Sequence, residues 1–192
     1  MYKNNSGFGV YPKSFFEYLY RIQIVKDKPS NPLLFVYTTE KPTFDFIFML
    51  TIKELHSKEE MLNQLLLIQQ LYPDYTVEIY ADLLEEMLPN NYKQVVVFEN
   101  EKSVGLSGFW IGTKLWCGKY LELDNVIVHP NHRSKGVGKL LTDYLVQKAI
   151  DLNCKSVALD AYTHNFPAHK FYYNHGFVPK GFHFIKVLEE KI

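Results

Sequence analysis

A β-branched stretch, Val126-Ile127-Val128, runs into a short loop carrying two cations and two glycines, Arg133, Lys135, Gly136 and Gly138. That loop in turn opens an apolar-periodic helix. A strand that enters a helix so directly predicts an α/β architecture, because the helix must fold back onto the sheet to bury its apolar stripe. The helix is expected over residues 136–152, with Val137, Leu140, Leu141, Tyr144 and Leu145 at spacings of three and four. The join also predicts chemistry. The first turn of a helix leaves backbone amides without partners, and the helix dipole favours an anion there. Gly136 and Gly138 clear side chains from that turn, and Arg133 and Lys135 add positive charge, so residues 133–138 (Arg133, Ser134, Lys135, Gly136, Val137 and Gly138) read as a pyrophosphate cradle. The two best-known cradles do not fit. The Walker pattern is absent, and Lys139-Leu140-Leu141 stand where a dinucleotide fingerprint needs its third glycine.

The rest of the chain reads as alternating elements. A strand over 50–55 precedes Ser57 and Glu60, which have the spacing of a capping box, and one helix to about residue 70 follows. A second helix spans 76–87, with Ile79, Leu83 and Met87 spaced by four. Strands are expected over 92–100, 104–111, 120–128 and 156–161, a short helix over 166–175 closed by Gly176, and a last strand over 182–188. The order β α α β β β α β α β predicts a mixed α/β domain of three layers.

At this point two segments carry a resemblance. Arg133-Ser134-Lys135-Gly136-Val137-Gly138 resembles motif A of the GNAT superfamily of N-acetyltransferases, [QR]-x-x-G-x-[GA]. Asn165-Phe166-Pro167-Ala168-His169-Lys170-Phe171-Tyr172 followed by Gly176-Phe177 resembles its motif B. The resemblance covers roughly residues 50–192. It implies the GNAT fold: a twisted mixed sheet of about six to seven strands with helices on both faces, in which the strands at 120–128 and 156–161 lie parallel and splay apart. It implies acetyl-CoA as donor, with the pantetheine arm along the backbone of Val126, Ile127 and Val128 and the pyrophosphate on the cradle. The reaction implied is direct attack of a primary amine on the thioester.

The family's roles map residue by residue. Tyr172 matches the tyrosine that serves as general acid toward the departing sulfur, although its spacing from Ala168 also suits simple core packing; Tyr173 points elsewhere on the helix. Asp124 or Glu122 is the expected base. Both alternate with Leu121 and Leu123, so if the leucines face the core the acids face the cleft. A solvated strand face that merely attracts a cation is the alternative. Asn165 matches an asparagine that bonds the cofactor arm, and it also stands where a helix N-cap is expected ahead of Pro167. His183, in Phe182-His183-Phe184, is a candidate for lining the cleft, and Lys170 reads as a solvated helix lysine.

Composition narrows the partners. Lys plus Arg equals Asp plus Glu at 21 each, so global charge gives no reason to expect nucleic acid. Cys117 and Cys154 form neither a disulfide framework nor a zinc pattern, and the seven histidines show no H-E-x-x-H spacing, so no metal is expected. No apolar run is long enough to span a membrane and no signal-peptide pattern opens the chain, which makes the cytoplasm the expected compartment. Residues 1–48 are atypical: they hold 12 of the 30 aromatic residues and no alanine, which sets them apart from the acetyltransferase domain expected over 49–192. They read either as an extension, with a short helix over 11–24 and a short strand over 33–38, or as non-native sequence ahead of a start at Met49. Three functions fit: an amine acetyltransferase acting on a small-molecule or peptide amine, a non-catalytic acyl-CoA-binding domain on the same scaffold, and an interaction protein using the aromatic N-terminal segment. The acidic pair favours a cationic acceptor, and the oligomeric state is open, a homodimer included.

Overall fold

The computed structural model describes residues 21–25, 33–38 and 48–188. Seven strands form one sheet in sequence order: β1 (Arg21–Val25), β2 (Leu33–Thr38), β3 (Phe48–Leu55), β4 (Tyr92–Glu99), β5 (Lys102–Lys114), β6 (Gly118–Val128) and β7 (Ser156–Leu159). Every neighbouring pair is antiparallel except β6 and β7, which are parallel. A parallel neighbour requires a crossover, and α4 (Val137–Asp151) supplies it. The mixed α/β fold expected from the sequence is therefore present, with two strands drawn from the first 48 residues: β2 pairs with β3 from Leu33↔Ile52 to Tyr37↔Phe48.

Both faces of the sheet are covered. On one, Val95, Val97, Phe109, Leu121 and Leu123 pack against Val137, Leu140, Leu141, Leu145 and Ala149 of α4. On the other, Val96, Leu106, Tyr92 and Ile127 pack against α1 (Lys58–Leu62), α2 (Leu65–Ile68) and α3 (Val77–Met87) through Met61, Leu67, Ile68, Tyr80 and Leu84. The strands of β4 and β5 thus bury both faces, which is why Val95, Val96 and Val97 are a continuous apolar run rather than an alternating one.

The capping box at the start of α1 is formed: Ser57 Oγ accepts from the Glu60 amide at 3.1 Å, and the Glu60 carboxylate accepts from the Ser57 amide at 3.2 Å. Lys53 and the His56 amide also bond that carboxylate and hold its pKa down to about 2.

Four expectations differ. The single helix over 57–70 is two short ones, because the amides of Gln64 and Leu67 bond three residues back, to Met61 and Gln64, and tighten the turn between them. The buried stripe of α3 is Tyr80 and Leu84, and Ile79 is exposed. Residues 21–24 of the helix expected over 11–24 are strand β1, where Ile22 and Ile24 sit in register with Tyr37 and Phe35, while residues 11–20 lie outside the described residues. The last strand is not formed: residues 182–188 have no strand partner among the described residues, and Phe182, Phe184 and Leu188 are exposed. Alternation of apolar residues makes a strand only where a neighbouring backbone offers its hydrogen bonds.

One glycine sets how closely α4 sits on the sheet. A methyl group at Gly105 of β5 would come within 2.5 Å of Val137 Cγ1 and 3.3 Å of Leu141 Cδ1 and of the Ile127 carbonyl oxygen. Gly105→Ala should therefore lower stability by about 2 kcal/mol through overpacking, read as a fall in thermal midpoint; an unchanged midpoint would mean that the first turn of α4 can move off the sheet freely.

Candidate active site

The parallel pair β6–β7 stops early. Register runs from Tyr120↔Ser156 to Leu123↔Leu159, and β7 ends there while β6 continues to Val128. Residues 124–128 keep partners on the β5 side, at Gly108↔Asp124, Leu106↔Ile127 and Gly105↔Val128, and among the described residues no strand pairs with them on the other. This is the splay implied by the family resemblance. It exposes a strand-edge backbone at the mouth of the crossover.

The cradle follows directly. After the short 3-10 turn Pro130–His132, Ser134 and Gly136 both adopt left-handed backbone conformations (φ 60° and 84°), and Gly136 is the N-cap of α4. Turns of this kind make concavities lined by amides. Leu140 is the first amide of the helix to find a carbonyl, that of Gly136 at 2.9 Å; the amides of Val137, Gly138 and Lys139 precede it. Arg133, Ser134 and Lys135 are exposed, and Arg133 Nε donates to the Val128 carbonyl at 3.4 Å. Gly138 has a second reason to lack a side chain: a methyl group there would lie 3.3 Å from the Phe171 ring and 3.7 Å from Val128 Cγ2. It is the point where α5 (Phe166–Asn174) rests on the cradle. The loop is tied to the sheet at His132, whose Nε2 lies 3.0 Å from Glu99 Oε2.

Contact of Phe171 with Gly138 carries the next residue, Tyr172, to the cradle's flank. Tyr172 is half-buried between the rings of Phe171 and Phe177, at centroid distances of 5.2 and 5.6 Å, and burial pushes its phenol up to about 12. Tyr173 is exposed. Asn165 caps α5: its Oδ1 accepts from the Ala168 amide at 3.2 Å.

The two acids of β6 part company. Leu121 and Leu123 are buried against α4, so Glu122 and Asp124 lie on the opposite face, with α1, α2 and α3. Glu122 sits 3.8 Å from Lys114. Asp124 is more enclosed. The Trp110 indole Nε1 donates to its Oδ2 at 3.1 Å, and burial raises its carboxyl above the usual aspartate range, with the Asp160 carboxylate adding to the effect; the bonds from Trp110 and the Asn125 amide oppose it. Beside Asp124 stands Tyr72, stacked on Tyr75 at 4.7 Å, and near Tyr72 lies Tyr162, stacked on His164 at 5.5 Å. His183 joins this side of the molecule, its Nδ1 2.6 Å from Asp160 Oδ2, just beyond the end of β7. Lys170 is exposed. Both cysteines are free and half-buried. Among the described residues no three His, Cys, Asp or Glu side chains converge as a metal site, and no helix is long and apolar enough to cross a membrane.

Tyr72, Trp110 and Asn125 were not singled out by sequence. One weak signal was there for Asn125: the alternation of Leu121 and Leu123 stops at Asp124-Asn125, and the apolar run Val126-Ile127-Val128 resumes out of phase, as a bulge allows.

The family model for the acetyltransferase (GNAT) family matches residues 57–177, which spans the capped helix α1, the cradle and α5. The chain belongs to this family. Among its relatives, an uncharacterized N-acetyltransferase, YhdJ of Bacillus subtilis (strain 168), is 28% identical over 125 residues, covering 65% of this chain and 88% of that protein. The glucosamine 6-phosphate N-acetyltransferase of Schizosaccharomyces pombe (strain 972 / ATCC 24843) is 33% identical over 75 residues, covering 37% of this chain and 68% of that one. Of solved structures, the aminoglycoside N-acetyltransferase AAC(6')-Iy in complex with CoA superposes with a TM-score of 0.62 at 19% identity, over 74% of this chain and 95% of its own, which shows the shared fold.

Removal of the Asn165 cap should be local. Asn165→Ala is expected to cost about 1 kcal/mol and to speed amide exchange in α5 while α4 keeps its protection; uniform exchange across both helices would mean that Asn165 does more than cap.

Proposed function

We propose that this chain is an acetyl-CoA-dependent N-acetyltransferase, carried by residues 49–192, in which a primary amine attacks the thioester directly within a ternary complex. The observation that carries this is the unpaired edge of β6 at residues 124–128, which leads straight into the amides of the cradle. An extended pantetheine arm can pair with such an edge as an added strand, through the backbone of Val126, Ile127 and Val128. Pyrophosphate would meet the amides from Ser134 to Gly138 and the charges of Arg133 and Lys135. With its Oδ1 engaged by the helix, Asn165 would reach the arm through its Nδ2.

The donor supplies an acetyl group on a thiol leaving group. The protein's residues do the rest. An alkylamine at neutral pH is mostly an ammonium ion and must lose a proton before it attacks. Asp124 is the base we assign, in preference to Glu122, because burial raises its proton affinity and its neighbours are aromatic. A carboxylate of raised pKa is better matched to removing a proton near neutral pH. Tyr172 stays protonated at neutral pH, its pKa pushed to about 12, so its hydroxyl is always a donor for the sulfur. A thiol titrates near 8.5, roughly 3 to 4 units lower. Tyr172 therefore hydrogen-bonds the developing thiolate as the C–S bond breaks, and the second proton, shed by the attacking nitrogen as the amide forms, goes to the sulfur, so that the products are the acetylated amine and the free thiol.

On the acceptor side, Asp124, the Tyr72–Tyr75 stack, Trp110 and Tyr162 suit a cationic small-molecule or peptide amine, held by charge and by ring faces. That lining fits a cationic acceptor, as in the aminoglycoside enzymes, better than a sugar phosphate.

Two measurements test the function. Calorimetric titration with acetyl-CoA should give micromolar binding, and Gly136→Glu should weaken it by about 100-fold or more, because the substitution strains a left-handed position and sets a carboxylate against the pyrophosphate. No binding by the parent protein would sink the proposal. In the pH profile of kcat/KM, activity should be lost as pH falls through the Asp124 pKa, at a pH above the ordinary aspartate value because that pKa is raised. Asp124→Asn should lower the rate by about 100-fold and remove this acid limb; a limb that survives in the variant assigns the base elsewhere.

A further inference from the structure

At Asn125 strand β6 carries one residue more than its partner. Register passes from Leu106↔Ile127 to Gly108↔Asp124, so Ser107 of β5 faces two residues, Asn125 and Val126. Asn125 takes a left-handed conformation, φ 50°, which asparagine tolerates better than other side chains except glycine. The bulge keeps Asp124 on the acceptor face while Val126 and Val128 still pack toward α4.

The Asn125 side chain is held from two directions. The Tyr72 hydroxyl donates to its Oδ1 at 2.7 Å, across 53 positions of sequence, and the amide faces the Tyr92 hydroxyl oxygen. Tyr92 is buried on β4, and Gln94 Nε2 donates to the hydroxyls of both Tyr92, at 3.0 Å, and Tyr80, at 2.6 Å. Gly108, opposite Asp124, makes room for this network, since a methyl group there would overlap the Tyr92 hydroxyl. Tyr72 is itself braced: its amide bonds the Ile68 carbonyl at 3.0 Å, its carbonyl accepts from the Tyr75 amide at 3.1 Å, and the Gln69 side chain donates to the Tyr75 carbonyl at 2.9 Å. Among the described residues, the Tyr72–Asn125 bond is the side-chain hydrogen bond that joins this braced segment to β6.

Stability alone does not account for the arrangement. Gln94 Oε1 is buried with no partner, a loss that an apolar side chain would avoid. The polar cluster lies next to Asp124, and the side chain it fixes is the neighbour of that acid.

We propose that Tyr72 and Asn125 form a latch that positions Asp124: the hydroxyl-to-amide bond locks the bulge to the acceptor-side wall, fixing where the amine meets the strand that carries the donor. This rests on the acetyltransferase function proposed above. Tyr72 and Asn125 are positioning residues; neither takes up a proton.

The test uses Tyr72→Phe, Asn125→Gly and the double variant of the full chain. Tyr72→Phe removes one oxygen, and Asn125→Gly keeps the left-handed backbone while deleting the side chain. Each single variant should lower kcat/KM for the amine by about 5- to 10-fold, the worth of one hydrogen bond, and the double should lose no more than Asn125→Gly alone, because that variant already deletes the bond that Tyr72→Phe removes. The KM for acetyl-CoA should stay within about twofold, since the cradle is untouched. Carbon-13 NMR titration of the Asp124 carboxyl gives a readout independent of turnover: in each variant it should move down toward the ordinary aspartate value as water enters. Multiplicative losses in the double variant, an equal rise in the KM for acetyl-CoA, or an Asp124 titration unchanged in all three variants would overturn the latch. Absence of turnover in the parent protein would instead overturn the proposed function, and the Asp124 titration would still decide the latch.

Discussion

Backbone amides and carbonyls inside a protein demand partners, and β6 leaves those of residues 124–128 unmet on one side because β7 ends at Leu159. The site depends on that mismatch in strand length. Had β7 continued in register, its backbone would have occupied the edge and closed the gap between crossover and strand. As it is, the chain turns away into α5, whose Phe171 comes to rest on Gly138. The unpaired edge and the flank that carries Tyr172 thus follow from one four-residue strand, and the free amides beside them come from the first turn of α4.

Burial then separates residues that look alike in sequence. Glu122 and Asp124 share a face of β6, yet Glu122 lies near Lys114 and Asp124 lies under Trp110. An ammonium partner stabilises a carboxylate's charge, whereas an indole N–H only partly offsets the loss of water, and for Asp124 the desolvation dominates. Tyr72 and Tyr172 are pushed up by the same cause.

The turn over residues 133–138 and the helix it opens were legible in the sequence because their information is local: a glycine where the chain turns left-handed, cations beside it, and a helix stripe immediately after. The alternation of Leu121 and Leu123 likewise placed both acids on the correct face. What escaped was set by distant partners. Tyr72 acquires its role from Asn125 on another element, and Trp110 from a diagonal neighbour across β5 and β6, so neither position has a local signature. The strand expected over 182–188 has the right pattern and lacks a partner, and residues 21–24 joined a sheet because β2 offered one. Periodicity reports which faces a segment could bury; pairing decides whether it becomes a strand.

The costs that the fold carries are not spread evenly. Left-handed Asn125, the unpartnered Gln94 amide oxygen on β4 and half-buried Asp124 lie on the sheet face that carries α1, α2 and α3, while the loop ahead of α4 has its own left-handed Ser134 and a buried His132 Nδ1 without a partner among the described residues. The α4 face beneath the cradle is ordinary by comparison: Val95, Val97, Phe109, Leu121, Leu141 and Leu145 are fully buried and apolar. An apolar core of this kind is tolerant of detail, because dispersion and burial are non-directional. Hydrogen bonds are directional, and only they can fix the angle at which a bulged strand presents a carboxylate. The division of labour between the two faces therefore follows from physics. Under the function proposed, a donor would need a close-packed floor and free backbone groups, which valine, leucine and glycine provide, and an acceptor would need one side chain aimed by polar contacts whose penalties the apolar face offsets.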